Sequence, residues 1–123
     1  MKTAKNYLED ANKLVKRILP NEAMDFHGDG ETLFIDVRDS GDITKSGTIK
    51  GALRIARGLM EFAADDATPH FNSALNKDAR ICLVCGAGGQ AALAGKTLQE
   101  MGYKNVLNIG GFSAWNEAGG PTE

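Results

Sequence analysis

The sequence has few cysteines, little net charge and no long apolar run, and each shortage excludes a class of protein. Two cysteines, Cys82 and Cys85, stand among 123 residues; they are too few for a disulfide-stapled scaffold, and no Cys/His cluster completes a zinc site. The net charge of −2 gives no reason to expect nucleic acid or an anionic membrane as a partner. No apolar stretch approaches the length of a membrane span, and the N-terminus lacks the apolar centre of a signal peptide. We therefore expect one cytoplasmic domain, residues 1–123, without a metal or cofactor.

The two cysteines are also too far apart to pair with each other. Three residues apart on a strand, their Cα atoms would lie about 10 Å from one another, whereas a disulfide needs less than about 7 Å. Cys82 is interpreted as a small buried hydrophobic residue.

The rest of the composition, 42% hydrophobic and 24% charged, is that of an ordinary globular domain. Apolar runs predict strands at Thr32–Val37, Gly51–Ala56, Ile81–Val84 and Asn105–Ile109, with Val15–Leu19 ambiguous and open to being an edge strand. Helical patterns lie at Thr3–Lys13, Asn21–Phe26, Gln90–Met101 and Phe112–Ala118, with a short helix or turn at Gly58–Ala64. The polar segment Asp39–Gly47 is predicted to be an exposed loop. Strands alternating with helices specify an α/β fold with a mainly parallel sheet.

One stretch, Arg80–Met101, carries the strongest chemical signal. Cys85 ends an apolar run, and a glycine-rich loop separates it from the next helix. In an open α/β sheet the carboxyl ends of strands are where ligands bind. The glycines at 86, 88 and 89 let backbone N–H groups turn inward, and the helix dipole also favours negative charge. Cys85 is therefore predicted to be a nucleophilic thiolate rather than a buried structural cysteine.

Several short motifs in order along the chain carry a family resemblance. They are Asp36-Val37-Arg38, Ile49-Lys50-Gly51-Ala52, Arg57-Gly58, the Cys85 loop, Met101-Gly102-Tyr103 with Asn105-Val106, and Gly110-Gly111-Phe112 with Ala114-Trp115. Together they resemble single-domain rhodanese-like sulfurtransferases over nearly the whole chain. The resemblance implies a three-layer domain, with a mainly parallel sheet of about five strands and helices on both faces. It further implies that Cys85 carries sulfane sulfur as a persulfide, and that the substrate is bound by the loop residues Gly86, Ala87, Gly88, Gly89, Gln90 and Ala91.

The loop departs from that family in its charge. Active rhodaneses usually carry a basic residue directly after the cysteine or an arginine five residues after it, and this chain has Gly86 and Gln90 there. A neutral amide makes weaker hydrogen bonds than a charged donor, so we expect weak use of thiosulfate, a dianion. The missing arginine also weighs against the related phosphatase and arsenate-reductase chemistries. Arg57 is an open candidate for the missing charge, with a solvated surface arginine as the alternative.

Asp36 and Arg38 follow a buried strand at its carboxyl end. We interpret them as a salt-bridged framework rather than as groups that tune the site, because buried charges are normally paired.

Two functions follow from the resemblance. The first is a sulfurtransferase that moves sulfur through Cys85 between small sulfur-containing molecules or to a sulfur-carrier protein. The second is a non-catalytic binding or regulatory module that keeps the fold after losing the loop's charges. Retention of Cys85 with its glycines favours the first.

Overall fold

A parallel sheet forms the centre of the molecule, and the computed structural model describes all residues, 1–123. Its strands are β1 (Lys16–Arg17), β2 (Thr32–Asp36), β3 (Leu53–Arg54), β4 (Arg80–Cys85) and β5 (Asn105–Gly111). Its helices are α1 (Ala4–Leu14), α2 (Pro20–Met24), α3 (Ser40–Ser46), α4 (Met60–Ala64, after a 3₁₀ turn at Arg57–Leu59), α5 (Gly89–Glu100) and α6 (Phe112–Glu117). The sheet order is β1-β5-β4-β2-β3, and every pair is parallel. The predicted α/β fold with about five strands is confirmed.

The core divides into two clusters, one on each face of the sheet. Alternate residues of β4 supply both, because successive side chains of a strand point to opposite faces. Ile81, Leu83 and Cys85 pack on the face covered by α1, α4 and α5, whereas Cys82 and Val84 pack on the face of α2 and α6. β4 is the central strand, so its carboxyl end places Cys85 in the middle of one sheet edge.

The ambiguous segment after α1 resolves into the edge strand β1. Lys16 pairs with Leu107 and Arg17 with Asn108 of β5. Helix α1 starts after Thr3, whose side chain accepts from the Asn6 amide while Asn6 caps it in return. None of the helices has the length and apolar character that crossing a membrane requires.

The prediction of a loop at Asp39–Gly47 is wrong, because α3 occupies Ser40–Ser46. The segment lacks a helical apolar pattern, since Ile43 is its one buried residue. Tertiary contacts stabilise it instead: the Arg38 guanidinium donates to Ser46 Oγ and to the Gly47 carbonyl, both at 2.9 Å. Such contacts override weak local helix propensity, and the sequence pattern does not reveal them.

Candidate active site

The Cys85 sulfur lies in a cradle of backbone amides at the junction of β4 and α5. Sγ accepts hydrogen bonds from the amides of Gly88 at 3.0 Å and Ala91 at 3.3 Å. Gly88 has a positive φ of 104°, a conformation that suits glycine. The cysteine is 1% exposed. The two amides donate to the sulfur, and no charged side chain of the loop accompanies them.

Two further amides of the same loop have no hydrogen-bond partner in the protein. The N–H groups of Gly86 and Ala87 donate to no protein atom, and both residues are exposed. Gly111 of β5 lets the loop lie this close to the sheet, because a Cβ atom there would collide with the Gly86 carbonyl oxygen. Of the predicted loop residues, Gly88 and Ala91 contact the sulfur through their amides, and Gln90 is exposed at the first turn of α5.

Asn108 of β5 holds the Cys85 loop in place through hydrogen bonds. The sequence pattern did not predict this role. Its Nδ2 donates to the Gly88 carbonyl oxygen at 2.9 Å, and its Oδ1 accepts from the Gly110 amide at 2.9 Å. The side chain is fully buried, so these two bonds satisfy polar groups that have no access to water. The available signal was a lone amide inside the apolar strand Val106–Ile109, where an unpaired polar group would be costly.

Arg57 does not extend toward the sulfur. Its guanidinium donates to Glu61 and to Thr97 Oγ1, both at 3.0 Å. Thr97 lies six residues beyond Ala91 on α5, roughly 9 Å further along the helix axis. The arginine therefore braces α4 against α5 in this structure, and the loop receives no charge from it.

Asp36 and Arg38 form a buried ion pair. Arg38 Nη2 lies 2.7 Å from Asp36 Oδ2, Nε bonds to the same carboxylate, and Thr48 donates to it at 2.7 Å. The Arg38 guanidinium also stacks 4.8 Å from the centre of the Phe112 ring. This network ties together the end of β2, the end of α3 and the start of α6, as expected of a framework.

Cys82 is chemically separate from Cys85. Burial raises the pKa of the Cys82 thiol to about 12, and both cysteines are free. Since the two side chains belong to core clusters on opposite faces, they do not form a disulfide.

A second residue that the sequence analysis missed reaches the loop from the sheet edge. Arg17 of β1 donates from Nη2 to the Ala87 carbonyl oxygen at 3.3 Å.

No cluster of three or more His, Cys, Asp or Glu side chains that would hold a metal ion is present.

Comparison with known protein families identifies the domain type. The model of the rhodanese-like domain matches residues 19–118. The chain belongs to the rhodanese-like domain family. Comparison with curated protein sequences finds no significant match to this rhodanese-like domain.

Three solved structures illustrate the range of similar proteins. A Rhodopseudomonas palustris protein of unknown function, described as a possible tyrosine phosphatase, is 35% identical with a TM-score of 0.92, covering 100% of this chain and 96% of its own. The polysulfide-sulfur transferase of Wolinella succinogenes, a homodimer, is 28% identical with a TM-score of 0.77. The match covers 97% of this chain and 85% of the transferase chain. A human single-domain sulfurtransferase shares the fold at 23% identity and a TM-score of 0.72. The match covers 84% of this chain and 96% of the human chain.

Proposed function

We propose that this rhodanese-like domain is a sulfurtransferase that carries sulfane sulfur as a persulfide on Cys85. The observation that carries the proposal is the pair of amide bonds from Gly88 and Ala91 to Sγ. These donors stabilise negative charge on sulfur, and the thiolate is the nucleophilic form of cysteine. Membership of the family and the similarity to a polysulfide-sulfur transferase support the same chemistry.

The reaction proceeds in two covalent steps. In the first, the Cys85 thiolate attacks the outer sulfur of a donor such as thiosulfate. The new S–S bond forms as the donor's S–S bond breaks, its electron pair leaves with sulfite, and Cys85 becomes a persulfide anion. In the second, a nucleophile such as cyanide or a thiolate attacks the terminal sulfur, takes it away and regenerates the Cys85 thiolate.

The charge of the loop bears on the choice of donor. The loop itself supplies amides and no basic side chain, and the cradle accommodates one negative charge on sulfur. Thiosulfate brings two, and sulfite must be stabilised as it leaves; one missing donor of this kind costs roughly a hundredfold or more in rate. A persulfide, which carries less charge than thiosulfate, is therefore the better donor, and the acceptor is a small thiol or a sulfur-carrier protein.

Two other functions have an observation in their favour. Loss of both basic loop positions favours a non-catalytic binding module. The description given to the Rhodopseudomonas palustris protein favours a phosphatase, although a phosphate ester dianion in this loop would find no basic loop side chain to bind it.

Activity assays separate the three. The purified protein is tested with a neutral alkyl persulfide, with thiosulfate plus cyanide, and with an aryl phosphate, each beside Cys85→Ser and Cys82→Ser. We expect persulfide turnover that requires Cys85 and survives loss of Cys82, slower thiosulfate turnover, and no phosphate hydrolysis. Cys85-dependent phosphate hydrolysis without sulfur transfer would establish the phosphatase, and absence of both activities would establish the binding module.

A further inference from the structure

Arg17 brings a positive charge to the Cys85 loop from outside that loop. Besides its bond to the Ala87 carbonyl, its guanidinium lies across two glycines. A Cβ atom at Gly88 would collide with Nη1, and one at Gly110 would lie 2.9 Å from Nη2. Both positions have positive φ, so glycine serves the backbone turn and the space for the guanidinium at once.

The guanidinium also lies near the reacting sulfur. Gly88 is the residue whose amide bonds to Sγ, and its α-carbon faces Arg17. The Gly88 nitrogen is 3.0 Å from Sγ, and a Cβ atom on the same residue would collide with Nη1 of Arg17. Because the nitrogen and the Cβ position of one residue are only two covalent bonds apart, Nη1 lies within about 8 Å of Sγ. That distance is comparable with the screening length of physiological salt, so the charge acts on an anion bound at the loop.

The charge of Arg17 is not neutralised by the protein. None of the chain's ion pairs includes Arg17, and its single hydrogen bond goes to the Ala87 carbonyl. A guanidinium has five N–H donors in a planar fork, so most of them stay available. Arg57, by comparison, is bound to Glu61 and Thr97.

We propose that Arg17 is the anion-binding residue of this site, holding the negatively charged group of a molecule that enters the Cys85 loop. The family match begins at residue 19, so this cation stands outside the matched domain, on the edge strand β1. As a role in sulfur transfer it rests on the proposed function. It replaces part of the charge that the loop lacks, and it favours donors or acceptors whose anionic group lies a few atoms from the reacting sulfur, such as a sulfonate or carboxylate, over those with the same charge placed elsewhere.

A pair of alkylating reagents tests the charge without requiring any enzymatic activity. Iodoacetate is an anion and iodoacetamide is neutral, and the same Cys85 thiolate displaces iodide from both, so the ratio of their rates reports the field that an anion meets. The test compares wild type with Arg17→Gln and Arg17→Lys at low ionic strength. Lys16→Gln is the matched control, because it removes the same charge from the neighbouring position, whose side chain points to the other face.

We expect Arg17→Gln to lower the iodoacetate-to-iodoacetamide ratio roughly tenfold, Arg17→Lys to lower it less, and Lys16→Gln to leave it nearly unchanged. Added salt should lower the wild-type ratio toward that of Arg17→Gln. A ratio that is equal in wild type and Arg17→Gln would overturn the proposal. A loss of both rates in parallel would also overturn it, because that is the effect of a merely structural residue.

Donor kinetics then separate this proposal from the proposed function. Arg17→Gln should lower kcat/KM about tenfold for thiosulfate and much less for an alkyl persulfide whose alkyl group is uncharged, from which Cys85 takes the outer sulfur as the alkyl thiolate leaves. Equal losses for both donors would contradict anion binding while leaving sulfur transfer intact. If no donor transfers sulfur but the alkylation ratio still depends on Arg17, anion binding stands and the sulfurtransferase function fails.

Discussion

The side chain of Asn108 bonds to the carbonyl oxygen of Gly88 at 2.9 Å, and the amide of the same glycine bonds to the Cys85 sulfur at 3.0 Å. Asn108, a buried residue of β5, therefore holds the Gly88 carbonyl, while the amide of Gly88 donates to the sulfur. The position of the amide donor is set by the sheet rather than by the loop alone. Preorganised donors of this kind lose little energy to reorganisation during reaction.

Replacing Asn108 with leucine should weaken both the fold and the site. The change keeps the volume but leaves the buried Gly110 amide without its acceptor, which costs about 1–3 kcal/mol. It also removes one of the two hydrogen bonds that the Gly88 carbonyl accepts, the other coming from the Ala92 amide at 3.0 Å. Urea denaturation measures the stability, and the rate of persulfide formation measures the effect on the site. Asn105→Leu, at the exposed start of the same strand, is the control; an Asn108 variant as stable and as fast as that control would refute the coupling.

Replacing Gln90 with arginine should raise the thiosulfate rate. Gln90 is exposed, so the longer side chain has room, and it adds the charged donor that the loop lacks. We expect a gain of roughly tenfold or more in kcat/KM for thiosulfate, with a much smaller change for a neutral persulfide. Asn21→Arg on α2 adds the same charge away from the loop. Brisk thiosulfate turnover by the wild type, with no gain in Gln90→Arg, would show that amides and Arg17 already suffice.

Replacing Arg57 with alanine should affect stability slightly and catalysis little. Its partly exposed ion pair with Glu61 is worth up to about 1 kcal/mol, and its contact with Thr97 lies along α5, away from the sulfur. Thermal unfolding and steady-state kinetics measure the two effects. A large selective loss of thiosulfate turnover would restore Arg57 to the binding site and contradict the position of its guanidinium.

The sequence predicted the parts of this structure that local patterns control. The apolar run before Cys85 and the glycines after it require a strand, a tight loop and a helix, and the structure has all three. α3 was missed because Arg38, a residue outside the helix, holds its end. Arg17 was missed for the same kind of reason, since 70 residues separate it from Ala87 and only the pairing of β1 with β5 brings them together.

In the proposed reaction Cys85 alone carries the transferred sulfur. Cys82 is not expected to form the persulfide, because burial raises the pKa of its thiol to about 12. The thiol therefore stays protonated and unreactive at neutral and mildly alkaline pH. Its matched variant, Cys82→Ala, removes the second thiol with little change in a buried apolar cluster.

The role of Cys85 is measured by intact-mass analysis after brief exposure to an alkyl persulfide with an uncharged alkyl group, followed by removal of excess donor. Wild type and Cys82→Ala should each gain the mass of one sulfur atom, and cyanide should remove it as thiocyanate. Cys85→Ser should gain nothing. An adduct that persists in Cys85→Ser, or one that is lost in Cys82→Ala, would contradict the account.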